Sequence, residues 1–217
     1  MEKTDTIIFD LGGVIITLNQ PEAVRRFESL GLKNAAQMLD PYCQEGIFGE
    51  LEEGRISAET FRMELSKMVG RELTFEECRY GWLGYAEDLP QRNLDILRQL
   101  RSEGYRIVLL SNTNPYMMSW AMSPAFSLGP QAANEPHPQG KAISEFFDAC
   151  YLSYQMKLMK PDETFFRKVL MSERKAPYSC LFIDDGPRNV AAASQVGMRT
   201  YCPENGEDWT ETIRKYL

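Results

Sequence analysis

Thr6-Ile7-Ile8-Phe9-Asp10-Leu11-Gly12-Gly13-Val14 decides the fold. Four consecutive strand-forming residues without polar alternation read as a strand covered on both faces, and such strands belong to parallel sheets sandwiched between helices. Two further runs repeat the pattern. Arg106-Ile107-Val108-Leu109-Leu110 ends at Ser111-Asn112, and Cys180-Leu181-Phe182-Ile183 ends at Asp184-Asp185. Ala149-Cys150-Tyr151-Leu152-Ser153 and Arg199-Thr200-Tyr201-Cys202 are weaker candidates.

Helices are predicted between these runs. Pro90 to Gly104 places Leu94, Ile96, Leu97 and Leu100 on one face and ends at glycine. Glu163 to Glu173 carries Phe166, Val169 and Leu170, and Asn189 to Gly197 carries Val190, Ala193 and Val196. Alternating strands and helices imply an α/β protein with a doubly wound, Rossmann-like parallel sheet. The stretch from Thr17 to Leu89 differs, with helical patterns but no convincing strand. Pro21 to Gly31 has Val24, Phe27 and Leu30 on a stripe, and Ser57 to Gly70 has Phe61, Leu65 and Met68. Thr74-Phe75-Glu76-Glu77 is a capping box. The expected organisation is a core from residues 1–16 and 90–217, interrupted by a helical module over 17–89. Residues 122–143, rich in proline and glycine, read as a long loop.

The composition narrows the function. Among 217 residues, 24 basic against 31 acidic side chains give a net charge of −7. That balance disfavours an electrostatic grip on nucleic acid or an anionic membrane. No apolar run approaches the roughly 20 residues needed to span a bilayer, and Met1-Glu2-Lys3-Thr4-Asp5 has no signal-peptide pattern. Cys43, Cys78, Cys150, Cys180 and Cys202 are scattered with no C-x-x-C, which suits reduced thiols in the cytoplasm. His137 is the only histidine and sits in the proline-rich loop, where a solvated role is expected. Mechanisms that need two histidines are excluded.

In an open parallel sheet, ligands bind beyond the carboxyl ends of the strands. Asp10, Ser111, Asn112, Asp184 and Asp185 all stand at such ends, and Lys160, before Pro161-Asp162, follows the fourth strand candidate. Read singly, each has an ordinary explanation: Asp10 as a turn or cap, Asp184-Asp185-Gly186 as a turn, Ser111-Asn112 as a helix cap, Lys160 as a solvated lysine. Read together, three carboxylates in one crevice repel one another, and a hard divalent cation such as Mg²⁺ resolves the conflict. Hydroxyl, amide and ammonium groups beside them suit phosphate oxygens, and an aspartate is a competent phosphoryl acceptor.

At these residues the chain resembles the haloacid dehalogenase-like (HAD) superfamily. Phe9-Asp10-Leu11-Gly12-Gly13-Val14, Leu110-Ser111-Asn112-Thr113, Lys160-Pro161-Asp162 and Ile183-Asp184-Asp185-Gly186 stand in the order and spacing of its four motifs. The helical module resembles its C1 cap. Gly46 to Ser57, with Phe48, Glu52 and Gly54, and Gly81-Trp82 resemble cap features of the bacterial α-D-glucose-1-phosphate phosphatase branch.

The resemblance implies a Mg²⁺-dependent phosphatase of small phosphorylated metabolites, such as sugar phosphates, acting through an aspartyl-phosphate. It implies that Asp10 is nucleophile and metal ligand, that Gly12 offers its backbone carbonyl to Mg²⁺, and that Ser111 and Asn112 hold phosphate. Lys160 would bind phosphate and restrain Asp10. Asp185 would ligate the metal, with Asp184 beside it or bound through water, and Asn189 would fix the loop. One departure stands out. Most phosphatases of the family carry an acid–base Asp two residues after the nucleophile, where this chain has Gly12. Trp82, Tyr85 and Phe48 are candidates for lining the pocket or for packing cap on core. Two rival readings share the fold: a metal-independent 2-haloacid dehalogenase, disfavoured because Asp184 and Asp185 would repel a carboxylate substrate, and a low-turnover phosphate-binding regulatory protein.

Overall fold

The computed structural model describes residues 4–39 and 46–217, so Met1–Lys3 and Cys43 lie outside the described residues. In chain order come β1 (Thr6–Phe9), β2 (Thr17–Leu18), α1 (Gln20–Ser29), α2 (Ala35–Met38), α3 (Gly46–Glu52), α4 (Ala58–Val69), α5 (Phe75–Trp82), β3 (Ala86–Asp88) and α6 (Gln91–Ser102). Then follow β4 (Arg106–Ser111), α7 (Pro115–Ala121), β5 (Ala149–Leu152), α8 (Ser153–Met156), α9 (Glu163–Glu173), β6 (Cys180–Ile183), α10 (Pro187–Val196) and β7 (Arg199–Tyr201).

Five strands form one sheet in the order β5-β4-β1-β6-β7. Every pairing in it is parallel. β1 lies at the centre, which is why it has no polar face. Successive strand residues point to opposite sides, and here both sides are covered. Ile8, Val108, Leu110 and Phe182 pack against Phe165, Val169 and Ala193 of α9 and α10. Ile7, Phe9, Ile107, Leu109 and Ile183 face the other way, toward Leu94 and Leu97 of α6. Phe9 stands opposite Leu109 on one side and Ile183 on the other. The next residues, Asp10 and Asp184, therefore leave the sheet side by side, and the Asp10 N–H donates to the Ile183 carbonyl at 2.8 Å.

The helices α1 to α5 sit between β1 and α6 and share one continuous apolar cluster with the second face of the sheet. Phe27, Phe48, Phe61 and Trp82 interlock there with ring centroids 5.1 to 5.9 Å apart. Local signals set the helix ends. The Ser57 hydroxyl caps α4, which stops at Gly70 in the left-handed region, and the Thr74–Glu77 capping box forms as the sequence predicts.

Several expectations are corrected. The region 17–89 does hold strands: β2 and β3 pair antiparallel, with a register irregularity. At two and three residues they are too short for any alternation to show. They bring the two ends of the helical segment together. Met68 is 45% exposed rather than part of the apolar stripe, because α4 buries only Phe61 and Leu65 and its last turn is uncovered. Residues 122–143 are the long connection the sequence predicts, without α-helix or strand, but a packed one. Short 3₁₀ turns at Phe126–Leu128 and Pro130–Ala132 lead to a third at Ile143–Glu145, and Phe126 and Ile143 are fully buried. The Phe126 ring packs against Trp120 and Phe146. Single buried anchors at irregular spacing fold this segment without a helical period. The cap of α7 is Asn114, not Ser111-Asn112: its Oδ1 accepts from the N–H groups of Tyr116 and Met117, with Pro115 at the start of the helix.

Candidate active site

The carboxyl edge of the sheet carries a cavity, partly open to solvent. Asp10, Gly12, Ser111, Asn112, Lys160 and Asp185 all line it. Asp184 is fully buried behind them. The topology thus brings together residues up to 175 positions apart, from Asp10 to Asp185, at one point.

Lys160 is the centre of the charge arrangement. It is only 3% exposed, and its Nζ lies 2.8 Å from Asp10 Oδ1 and 2.6 Å from Asp184 Oδ2. Burial acts to discharge Lys160, but the two carboxylates outweigh it and hold the ammonium protonated, above its ordinary range. Asp10 Oδ1 also accepts the Leu11 N–H at 2.7 Å. Among the described residues no donor meets Asp10 Oδ2. Asp184 is locked on all sides: beside Lys160, the Gly186 N–H reaches Oδ1 at 2.8 Å, and Asn189 Nδ2 donates to both oxygens at 3.0 and 3.2 Å.

Among the described residues, one cation faces three carboxylates. Ligand oxygens of Asp10, Asp184 and Asp185 lie within 4.8 Å of one another. Burial pushes the Asp10 carboxyl well above its ordinary range against the pull of Lys160, with Asp184 and Asp185 adding repulsion. Burial, then repulsion from Asp184, pushes Asp185 up to about 6. An all-oxygen donor set short of positive charge fits a hard divalent ion such as Mg²⁺. The site is also shaped around Asp185. Gly13 has φ +72, and a Cβ there would lie 2.1 Å from Asp185 Oδ2, so the backbone conformation and the carboxylate both demand glycine.

Asn112 lines the cavity and is tied to Lys160. Its Nδ2 donates to the Lys160 carbonyl at 2.9 Å and its Oδ1 accepts the Lys160 N–H at 2.9 Å. The side chain thus positions Lys160, and among the described residues its second Nδ2 N–H is uncommitted. One residue on, the Ser153 hydroxyl accepts from the Thr113 N–H at 2.9 Å and donates to the Thr113 carbonyl at 3.1 Å. The loop after β4 is thus clamped to both the β5 end and the Lys160 segment. Ser111 is 2% exposed, and its hydroxyl makes only a long 3.3 Å contact to the Asn112 carbonyl. His137 is exposed and far from this chemistry in sequence.

The helical segment contributes to the same cavity through Glu52, Trp82 and Tyr85, whereas Phe48 is fully buried among the aromatic rings. The sequence marks Glu52 only as part of a stretch that resembles the cap of one branch, and Asn114 not at all. Glu52 stands in Glu50-Leu51-Glu52-Glu53, where only burial separates it from its neighbours. Asn114 bears a helix-cap signature that hides its second, amide-donor face.

A family model described as haloacid dehalogenase-like hydrolase matches residues 4–197. A curated protein of Bacteroides thetaiotaomicron, a D-ribitol-5-phosphate phosphatase, is 42% identical over 211 residues, 97% of each chain. Among solved structures, a predicted HAD-like family hydrolase of Porphyromonas gingivalis is similar with TM-score 0.89 at 43% identity, covering 100% of this chain and 98% of that one. A HAD family enzyme of Bacteroides thetaiotaomicron, crystallised with magnesium and inorganic phosphate, matches with TM-score 0.83 at 32% identity over 97% of this chain and 100% of that one.

Proposed function

The chain belongs to the haloacid dehalogenase-like hydrolases, and from that membership we propose a Mg²⁺-dependent phosphatase of sugar or sugar-alcohol phosphates working through an aspartyl-phosphate. The observation that carries the reading is the carboxylate cluster of Asp10, Asp184 and Asp185 around a single buried ammonium. The relative named for D-ribitol-5-phosphate supports the substrate class. Asp10, Asp185 and the Gly12 carbonyl are the proposed holders of the ion, with Asp184 fixing Lys160 behind them. Bound Mg²⁺ would supply positive charge to the carboxylates and to the phosphoryl oxygens.

The chain's own groups then divide the work. Lys160 and the Leu11 N–H hold Asp10 Oδ1, leaving Oδ2 to attack phosphorus. The bond from Asp10 to phosphorus forms as the ester P–O bond breaks and the alkoxide leaves with the electron pair. Water then attacks the aspartyl-phosphate, returning the carboxylate and releasing phosphate. Lys160 and the Ser111 hydroxyl are placed to meet phosphoryl oxygens. Gly12 supplies no acid–base side chain, a group typically worth about 10²–10⁴-fold, so esters with poor leaving groups turn over slowly for the family. Residues 17–89 act in this reading as a cap that shields the reaction from bulk water. The pairing of β2 with β3 and the presence of Glu52 and Trp82 in the cavity support that role. Action on a free metabolite in the cytoplasm, without nucleic acid or membrane, completes the reading. The acidic charge balance supports it, and among the described residues no helix is long and apolar enough to cross a membrane.

The test is phosphate release from a panel of sugar and polyol phosphates. Release with Mg²⁺ that EDTA abolishes is the expected result. Halide release from 2-chloropropionate in EDTA, or tight phosphate binding without turnover, overturns it.

Two variants probe the metal cluster through stability. In Asp185→Asn, a carboxylate held near 6 in the fold but near 3.8 when unfolded is removed. A raised carboxylate costs stability fully above its folded value and not at all below its unfolded value, so the cost is complete at pH 7.5. The metal-free variant should therefore melt a few degrees above wild type, from about 1–3 kcal/mol. Added Mg²⁺ should raise the wild-type Tm and leave the variant nearly unmoved. Equal Mg²⁺ responses would remove Asp185 from the ligand set. Gly13→Ala should lower the Tm and raise the Mg²⁺ concentration needed for half-maximal phosphate release by at least about tenfold, since the new methyl group displaces Asp185. An unchanged Mg²⁺ requirement would show that Asp185 does not need that glycine.

A further inference from the structure

Three buried polar side chains line the inner wall of the cavity, and the phosphoryl chemistry uses none of them. Asn114 is fully buried and Trp82 is 1% exposed. Among the described residues, the Asn114 Nδ2 and Trp82 Nε1 donors have no hydrogen-bond partner. Glu52 is 9% exposed and lines the same cavity. Its carboxyl faces the Asn114 amide, which stops short of full hydrogen-bond geometry. Buried N–H donors without partners cost free energy and are rare in folded proteins, and here the residues that carry two of them line, together with Glu52, the cavity that opens onto Asp10 and Lys160.

Resting on the phosphatase reading above, we propose that Glu52, Asn114 and Trp82 form a subsite that reads the hydroxyl groups of the substrate's carbon chain. The donor and acceptor count favours this over other uses. A hydroxyl donates one hydrogen bond and accepts others, so neighbouring hydroxyls satisfy a carboxyl acceptor and two N–H donors together. A proton donor to the leaving group would need Glu52 alone and would leave both N–H groups unexplained. A second phosphate would meet the carboxyl as like charge. Burial pushes Glu52 up to about 7 against the pull of the Asn114 amide and Lys160, so the carboxyl can accept from a hydroxyl or donate to it. Two of the three groups come from the helical segment and one from the core, so their alignment depends on how the segment sits over the site. A site built to hydrogen-bond hydroxyls discriminates strongly against an analogue that lacks them, because its polar groups are then buried unpaired.

The test compares two esters of equal chain length in the Mg²⁺-loaded enzyme: a pentitol 5-phosphate and n-pentyl phosphate. The readout is the ratio of their kcat/KM values in wild type, Glu52→Gln, Asn114→Asp and Trp82→Phe. Asn114→Asp keeps the oxygen that caps the following helix at Tyr116 and Met117 and exchanges the amide donor for a carboxyl oxygen beside Glu52. Trp82→Phe keeps the ring in the aromatic cluster. Wild type should prefer the pentitol ester by at least about a hundredfold, and each variant should lower that preference at least tenfold, chiefly through KM for the pentitol ester. A preference within twofold of wild type in all three variants overturns the subsite. So does an equal loss on both esters, which would place Glu52 on the reacting group or in the framework. A wild type that releases phosphate from neither ester, nor from any other sugar phosphate, overturns the phosphatase reading instead.

Discussion

Asp10→Asn should lower kcat for phosphate release by about 10⁴-fold or more, with the protein still folded. The carboxamide cannot replace the carboxylate as a nucleophile, and loss of a nucleophile that acts with its partners as one unit costs about as much as losing the whole unit, up to roughly 10⁶. The fold should survive because Asn at this position still offers an oxygen to the Leu11 N–H and to Lys160, which now hold Asp10 Oδ1 at 2.7 and 2.8 Å. The substitution also removes a carboxyl that burial makes costly to ionise. Acid-quenched wild type turning over a radiolabelled phosphate ester should retain label on the protein, and the variant should retain none. More than a tenth of wild-type activity in Asp10→Asn would assign the attack to another group.

Lys160→Met should be the most damaging substitution for stability and, in activity, second only to the nucleophile. Lys160 Nζ lies against two carboxylates inside the protein. Taking away one partner of a buried ion pair leaves charge uncompensated and costs about 3–5 kcal/mol. For a chain of this size that lowers Tm by about 10 °C. Activity should fall by about 10³-fold or more, because the ammonium both orients Asp10 and sits where phosphoryl charge develops. Mg²⁺ at the neighbouring carboxylates would supply part of the missing positive charge, so the loss of Tm should be larger in EDTA than in Mg²⁺. Arginine should not rescue, since its planar fork needs room that a site closed to 3% exposure lacks. A methionine variant melting within 2 °C of wild type in EDTA would show that the ammonium is not what holds the carboxylates together.

The core strands were legible in the sequence because their signal is local. A run such as Thr6–Phe9 is apolar throughout since helices cover both its faces, and no other element of this length reads that way. The helix ends at Ser57, Gly70 and Thr74 were legible for the same reason, each depending on side chains within four residues. Features that depend on a distant partner were hidden. β2 and β3 are strands only because they meet across 67 intervening residues, from 19 to 85. That the Asn112 amide also holds the Lys160 backbone shows only in the fold. Phe126 and Ile143 anchor a segment that has no period of its own.

From the amino-acid order alone came the parallel sheet, the acidic residues at its strand ends, and the hard-cation and phosphate chemistry those residues suit, because each rests on neighbours along the chain. Tertiary structure alone decided which oxygen of Asp10 is held, that Asp184 is locked while Asp185 lies over Gly13, and that Glu52 shares a wall with Asn114 and Trp82. Those outcomes depend on strand register and on the seating of the helical segment. Both are set by packing between parts of the chain that carry no mark of one another in sequence.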